Sequence, residues 1–229
     1  MKTLCTFAIK PFTSLKLSLS LVALLLAAPC FASPADDAEQ TVRTTFDTVA
    51  KIVADNQGKV SEKIIDQKLQ DVLLPVFDFE EMSRGSLGAS WKSLSEPQRK
   101  EFMDLFASLL SRTYLHRIRT KIKGSEITFL QPMINNNRVV VRAKILSEGE
   151  TISADYRMYQ KDNKWRIYDA IVENVGLVTN YRNEFSNLMK DKGFDGLIQK
   201  LREQTQKLDT RDAEEAALEK AALEKEAAK

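Results

Sequence analysis

The sequence predicts an α+β fold in which N-terminal helices, a four-stranded antiparallel sheet and C-terminal helices follow one another. Three observations carry that expectation. From Ser33 to about Arg119 apolar residues recur every three or four positions. From Gly124 to Val172 they alternate, with polar turn residues between the runs. From Leu177 the helical period returns. The chain has 229 residues, 43% hydrophobic and 29% charged, enough for one well-filled domain. It divides into a leader (1–32), one α+β domain (33–206) and a charged tail (207–229).

The leader comes first. Residues 1–32 carry Lys2, Lys10 and Lys16 and no acid, then the apolar run Leu21–Ala28, then Pro29-Cys30-Phe31-Ala32. A basic start, a short greasy core and small residues before a cut after Ala32 describe a secretory signal peptide. The run from Leu17 to Ala28 is too short to cross ~30 Å of hydrocarbon. Both cysteines, Cys5 and Cys30, fall inside it, so the exported chain has none and relies on its core for stability. Cysteine-free export suits a bacterial periplasm.

Ser33-Pro34-Ala35-Asp36 reads as an N-cap, a proline in the first turn and an acid to complement the helix dipole. Ala38, Val42, Phe46, Val49 and Val53 make this first helix amphipathic. Ser61 opens a second, with Ile64, Ile65, Leu69, Val72 and Leu73, which Pro75 ends. Asp78–Met82 is a short third helix, stopped around Gly85 and Gly88. Ser95-Glu96-Pro97 begins the longest. Its apolar arc (Phe102, Met103, Leu105, Phe106, Leu109, Leu110, Tyr114, Leu115, Ile118) is wide enough to require burial on more than one side, so this helix is expected at the centre, covering the sheet.

Glu126–Leu130, Arg138–Leu146, Thr151–Tyr159 and Lys164–Val172 are the strands, joined by turns at Asn135-Asn136-Asn137, Glu148-Gly149-Glu150 and Lys161-Asp162-Asn163. Alternation places Val139, Val141, Ala143 and Ile145 on one face of the second strand. It places Ile152, Ala154, Tyr156 and Met158 on one face of the third, opposite Ser153, Asp155 and Arg157. Trp165, Ile167 and Ile171 follow in the fourth. Short turns give an antiparallel meander with one apolar and one wet face. Two helices, about Leu177–Lys190 and Phe194–Gln206, are divided by Gly193. In the tail, Ala216–Lys220 repeats as Ala221–Lys225; a five-residue period drifts around a helix, so Leu218 and Leu223 form no single stripe.

The chemistry of the chain is that of a binder. Phosphate-cradling glycine loops, G-x-S-x-G and H-E-x-x-H are absent. Gly85-Ser86-Leu87-Gly88 flanks a serine with glycines, but a nucleophile needs a base, and the one histidine, His116, sits among cations on the long helix. No catalytic residue, metal ligand or cofactor is expected, and near-neutral charge gives no mandate for nucleic acid. Arg112, His116, Arg119 and Lys123 step by four, three and four, one helical face. That stripe either complements the helix dipole or meets an anionic partner. Periodicity leaves the apolar surplus open too: it packs entirely as core, or the sheet curves around a cavity.

Four stretches resemble one family. They are Leu73–Phe79 with Leu87, Gly88 and Trp91; Gln98–Phe102 with Phe106, Leu110 and Tyr114; Trp165–Asp169 with Val172, Glu173, Asn180–Arg182 and Phe185; and Lys192–Leu197. In order and spacing, over about Val42–Leu201, the chain resembles the MlaC or toluene-tolerance family, the periplasmic phospholipid-binding component of the Mla transport system. Where the family reads Glu-Gly-Val-Ser, this chain has Glu173-Asn174-Val175-Gly176; asparagine tolerates the left-handed conformation that glycine serves there.

The resemblance implies a cone-shaped, NTF2-like sheet around an apolar cavity, and a monomeric carrier with phospholipid as cargo. Its partners would be an inner-membrane ABC transporter complex with an MCE-domain subunit and an outer-membrane lipoprotein–porin complex; its role would be to maintain outer-membrane lipid asymmetry. On that reading Phe102, Phe106, Leu109, Leu110 and Tyr114 of the long helix and Val141, Ala143, Ile145, Tyr156, Met158, Trp165 and Ile167 of the sheet enclose the tails. Val141→Glu is then expected to abolish carriage and leave the fold intact. The Arg112, His116, Arg119 and Lys123 stripe is a candidate docking surface. The alternatives are a periplasmic chaperone or scaffold for apolar polypeptide, and an exported enzyme on a similar fold.

Overall fold

The computed structural model describes residues 33–227, so the leader expected at 1–32 lies outside the described residues. Helix α1 (Pro34–Asn56) starts with a reciprocal cap. The Asp36 N–H donates to Ser33 Oγ at 3.2 Å, and the Ser33 N–H donates back to Asp36 Oδ2 at 3.0 Å. Helix α2 (Glu62–Leu73) runs into a 3-10 turn at Leu74–Val76, where Pro75 removes a donor and ends it. Helix α3 (Phe79–Leu87) is capped by Asp78 and closed by Gly88 at φ 56°. A 3-10 turn (Gly88–Ser93) then leads to the long α4 (Glu96–Lys121).

The sheet is an antiparallel meander of five strands: β1 (Glu126–Asn135), β2 (Arg138–Ser147), β3 (Glu150–Lys161), β4 (Lys164–Val172) and β5 (Val175–Gly176). The fifth strand corrects the expected count of four. Glu173 and Asn174 both take positive φ, 49° and 65°, so the chain reverses in two residues and pairs Val175 with Val172. Asp162-Asn163 and Glu148-Gly149 turn the same way. Helix α5 (Leu177–Ala227) breaks at Gly193, whose φ of 66° and ψ of −169° are not helical. Its second arm continues as helix beyond 207, where Leu208 packs on the helical core and Asp209 pairs with Arg112.

Two register irregularities matter. In β4, Arg157 pairs with Asp169 but Met158 pairs with Ile167, so Tyr168 is an extra residue. This bulge resets the alternation. Ala170, opposite Tyr156, turns inward, and Ile171, opposite Asp155, turns outward. The expectation that Ile171 lines the inner face is thereby corrected. In β1, the shift between Leu130 and Met133 carries Pro132, a residue without an N–H that an edge strand tolerates.

The apolar interior forms three clusters rather than one. Met82, Trp91, Phe102, Phe106, Leu109, Leu110, Tyr181, Phe185, Leu197 and Leu201 join α3, α4 and α5. Val49, Val53, Ile65, Leu69, Leu115 and Ile122 join α1, α2 and the end of α4. Helix α4 is therefore central and buried on two sides, as its wide arc predicts. The sheet, however, is covered by α1: Ala35, Ala38 and Val42 pack on Val139, Val141, Met158, Trp165 and Ile167. Small residues let α1 lie close to the pleated surface, whereas the bulky phenylalanines of α4 mate with aromatic residues of α5.

Candidate functional site

The inner sheet face divides into a half packed beneath α1 and a half whose buried alanines join none of the three clusters. Under α1, Val139, Val141 and Met158 are at most 1% exposed. Further along, Ala143 pairs with Ala154, Ala154 with Val172, and Val172 with Val175, so these four share one face. Ile145 and Ile152 pair beside them, and Ala170 sits opposite Tyr156. Ala143, Ala154 and Ala170 are buried but belong to none of the three clusters. Ile145, Ile152 and Tyr156 are half-buried, while Val172 and Val175 are exposed at 40% and 57%. The result is a continuous apolar strip with small residues at its floor, running from the surface at β5 to Tyr156 in the middle of the sheet.

The twelve residues expected to enclose cargo fall in three places. Phe102, Phe106, Leu109 and Leu110 lie in the helical core. There the rings of Phe102, Phe106, Tyr181 and Phe185 stack or meet edge to face, with centroids 5.1–5.6 Å apart. Val141, Met158, Trp165 and Ile167 lie beneath α1. Ala143, Ile145 and Tyr156 lie on the strip. Tyr114 stands at the edge of the helical core, half-buried. Burial pushes its phenol up despite Arg117 and a hydrogen bond with Tyr181. The Tyr181 phenol is raised further, again first by burial and then by Tyr114 and Glu184. The long helix and the sheet thus do not face each other across one set of contacts. Each first mates with another helix.

Ile152, Ala154, Ala170, Val172 and Val175 complete the strip. Alternation gave Ile152 and Ala154, but alanine carries no signal of a pocket. The bulge hid Ala170, and β5 read as a turn.

The basic stripe is not one surface. Arg119 is 5% exposed and clamps α2 to α4: its Nη1 donates to Asp66 Oδ1 at 2.9 Å, its Nη2 to Glu62, and His116 Nδ1 is 3.1 Å away. Arg112 pairs with Asp209 and donates to Ser108 Oγ at 3.2 Å. Of the four, Lys123 is exposed. Sequence reading put these cations on one face but could not see the acids from α2 and α5 that meet them.

Two polar knots fix the frame around the strip, and neither was legible in sequence. Asp78 caps α3 by accepting from the Glu81 N–H at 3.0 Å. It also receives the Tyr159 hydroxyl and, at 3.0 Å, Lys161 Nζ. Burial alone would raise its carboxyl, but these donors together hold it below the usual aspartate range. Tyr159, partly desolvated and facing that carboxylate, is pushed up to about 12. On β4, Asp169 accepts from Arg157 Nη1 at 3.1 Å and from the Val178 N–H at 3.0 Å, tying the outer sheet face to the start of α5. Gly85 lies where α3 crosses α5; a Cβ there would meet Val178 Cγ1 at 2.7 Å. Its neighbour Ser86 is fully buried and donates to the Ser83 carbonyl at 3.0 Å.

Two solvent-open hollows of about 450 and 460 Å³ lie elsewhere, one beside Pro97 and Arg202, the other beside Asp37 and Trp165. Among the described residues no cluster of His, Cys, Asp and Glu could hold a metal, and no helix is long and apolar enough to cross a membrane.

Residues 43–203 match the protein family described as MlaC protein. The intermembrane phospholipid transport system binding protein MlaC of Haemophilus influenzae is 24% identical over 155 residues, covering 65% of this chain and 72% of that protein. A solved structure of a phospholipid-binding protein from Ralstonia solanacearum, in complex with a phospholipid, matches with a TM-score of 0.69 and 28% identity. It covers 76% of this chain and 99% of that one.

Proposed function

Because the chain belongs to the MlaC family, we propose that it is a carrier that takes up a phospholipid and moves it between membranes across an aqueous gap. The observation that supports this reading most directly is the apolar strip, open at Val172 and Val175 and floored by Ala143, Ala154 and Ala170, on a fold that in a relative holds a phospholipid. Exposing one sixteen-carbon chain to water costs on the order of 12 kcal/mol at ~0.8 kcal/mol per methylene. A carrier need only match the apolar environment of the membrane, so transfer is near-neutral and reversible. That calls for apolar surface and no reactive group.

The tails are placed on the strip of the sheet's inner face. The packed clusters to either side act as walls. The leader at 1–32 suits a periplasmic location. An inner-membrane transporter with an MCE-domain subunit and an outer-membrane lipoprotein–porin complex are the partners in this reading. Docking is assigned to the exposed cations Arg117 and Lys123 at the end of α4; unchanged transporter binding after both are reversed to Glu would exclude it.

The decisive experiment is native purification from membrane-containing cells, extraction with organic solvent and mass spectrometry. Stoichiometric phospholipid supports the carrier. Its absence, with a bound peptide instead, would overturn it in favour of a chaperone.

A further inference from the structure

Tyr156 stands where the part of the inner face packed beneath α1 gives way to the alanine strip. Its cross-strand partners are Val141 and Ala170, and its neighbours along β3 on the same face are Ala154 and Met158. These four are 1%, 5%, 2% and 0% exposed. Tyr156, encircled by them, nevertheless keeps part of its surface. A side chain closed in on all four sides of a pleated sheet can be reached only from above. The free surface therefore lies on the side of the ring that faces away from the sheet.

The Tyr156 hydroxyl makes no hydrogen bond among the described residues. Burial pushes the Tyr156 phenol up to about 12, so it is a neutral donor at any physiological pH. Tyr156 Oη is not among the fully buried polar atoms that lack a partner, so it can be reached by a ligand as well as by water.

A phospholipid offers few acceptors to such a donor. Its phosphate is ionic and strongly hydrated and belongs at the mouth. Its tails have none. The acyl ester carbonyls are neutral and sit where tail meets glycerol. The strip places them within reach: exposed Val172 pairs with Ala154, and Tyr156 is two residues from Ala154, roughly 7 Å along the strand. Glycerol held at the Val172–Val175 rim would bring its carbonyls about one pleat inside. We propose that the Tyr156 hydroxyl donates a hydrogen bond to an acyl ester carbonyl of the bound phospholipid, making the site selective for ester-linked over ether-linked lipids. The inference rests on the carrier reading and adds a specificity-determining residue to it.

The test compares dipalmitoyl phosphatidylethanolamine with its dihexadecyl ether analogue, competing for the delipidated full chain and for Tyr156→Phe, with bound lipid quantified by mass spectrometry. The native protein is expected to prefer the ester roughly two- to tenfold, the worth of one net hydrogen bond. Tyr156→Phe should lose the preference, its affinity for the ester lipid falling to that for the ether lipid. Equal binding of both lipids by the native protein, or a preference that survives in Tyr156→Phe, would overturn the proposal and leave the carrier reading standing. Failure of the native protein to bind either lipid would overturn the carrier reading itself. Should Tyr156→Phe not fold, the infrared band of a carbon-13-labelled ester carbonyl bound to the native protein decides. A shift to lower frequency than in the same lipid in dry alkane supports the bond, and an unshifted band overturns it.

Discussion

Replacing Ala154 by Leu separates a strip that faces cargo from one already filled by protein. Ala154 is 2% exposed, lies between Ala143 and Val172 across the sheet, and is two residues from Tyr156. The change adds three carbons to the floor. If an acyl chain occupies the space above, the leucine displaces about three methylenes, roughly 2.4 kcal/mol at ~0.8 kcal/mol each, or on the order of fifty-fold in lipid affinity. The delipidated protein should then hold its stability, because the new side chain enters room that cargo vacated. If helix side chains already fill that room, overpacking costs about 1–3 kcal/mol in the delipidated protein. The assay pairs lipid retained after native purification with urea unfolding of the delipidated chain. Lost stability with unchanged lipid retention would refute the assignment of the strip. Val141→Glu, the change that alternation alone recommends, is a poor probe: Val141 is 1% exposed beneath α1, so a carboxylate there attacks the fold before it touches cargo.

Other expectations follow from the knots and crossings. Asp78→Asn should cost about 3 kcal/mol in urea unfolding at neutral pH, since it weakens a buried pair that also caps α3. Because the folded carboxyl is held below the unfolded value of ~3.9, its contribution is present above that pH and fades as pH falls through the folded value; Asp78→Asn should flatten this acid limb. Tyr159 titrates in the opposite sense: raised to about 12, it stabilises below ~10 and the benefit is lost as pH climbs through about 12, a limb that Tyr159→Phe should remove. Arg119→Met should lower the urea midpoint by the equivalent of about 2 kcal/mol, while Lys123→Glu leaves it unchanged, because Arg119 is clamped between α2 acids and Lys123 is exposed. Gly85→Ala should cost about 1–3 kcal/mol by forcing a Cβ to within 2.7 Å of Val178 Cγ1, and the added change Val178→Ala should restore part of that loss.

Much of the fold was legible because it is written in short-range periodicity. The cap at Ser33, the stop at Pro75, the break at Gly193 and the alternation along β2 and β3 each depend on residues close in sequence, and each appears in the structure. What went astray depended on counting through an irregularity. One extra residue at Tyr168 turned Ala170 inward in place of Ile171, and two positive φ angles at Glu173 and Asn174 made a fifth strand of an expected turn. The cargo residues show a different limit. Phe106 and Val141 are both apolar and both buried, as their patterns require, yet one packs on Tyr181 and Phe185 and the other under Ala38 and Val42.

The sequence by itself determined which residues form helices and strands, which faces are apolar, and the resemblance that led to the carrier reading. It did so because hydrogen-bonded backbone periods and the hydrophobic effect act locally and leave a pattern in residue order. Only the tertiary structure decided which apolar face meets which. An apolar surface carries no address: its burial is driven by area, and its partner is chosen by shape, by the small residues of α1 that fit the pleats and the rings of α5 that fit α4. The alanine strip is what that choice leaves outside the three clusters.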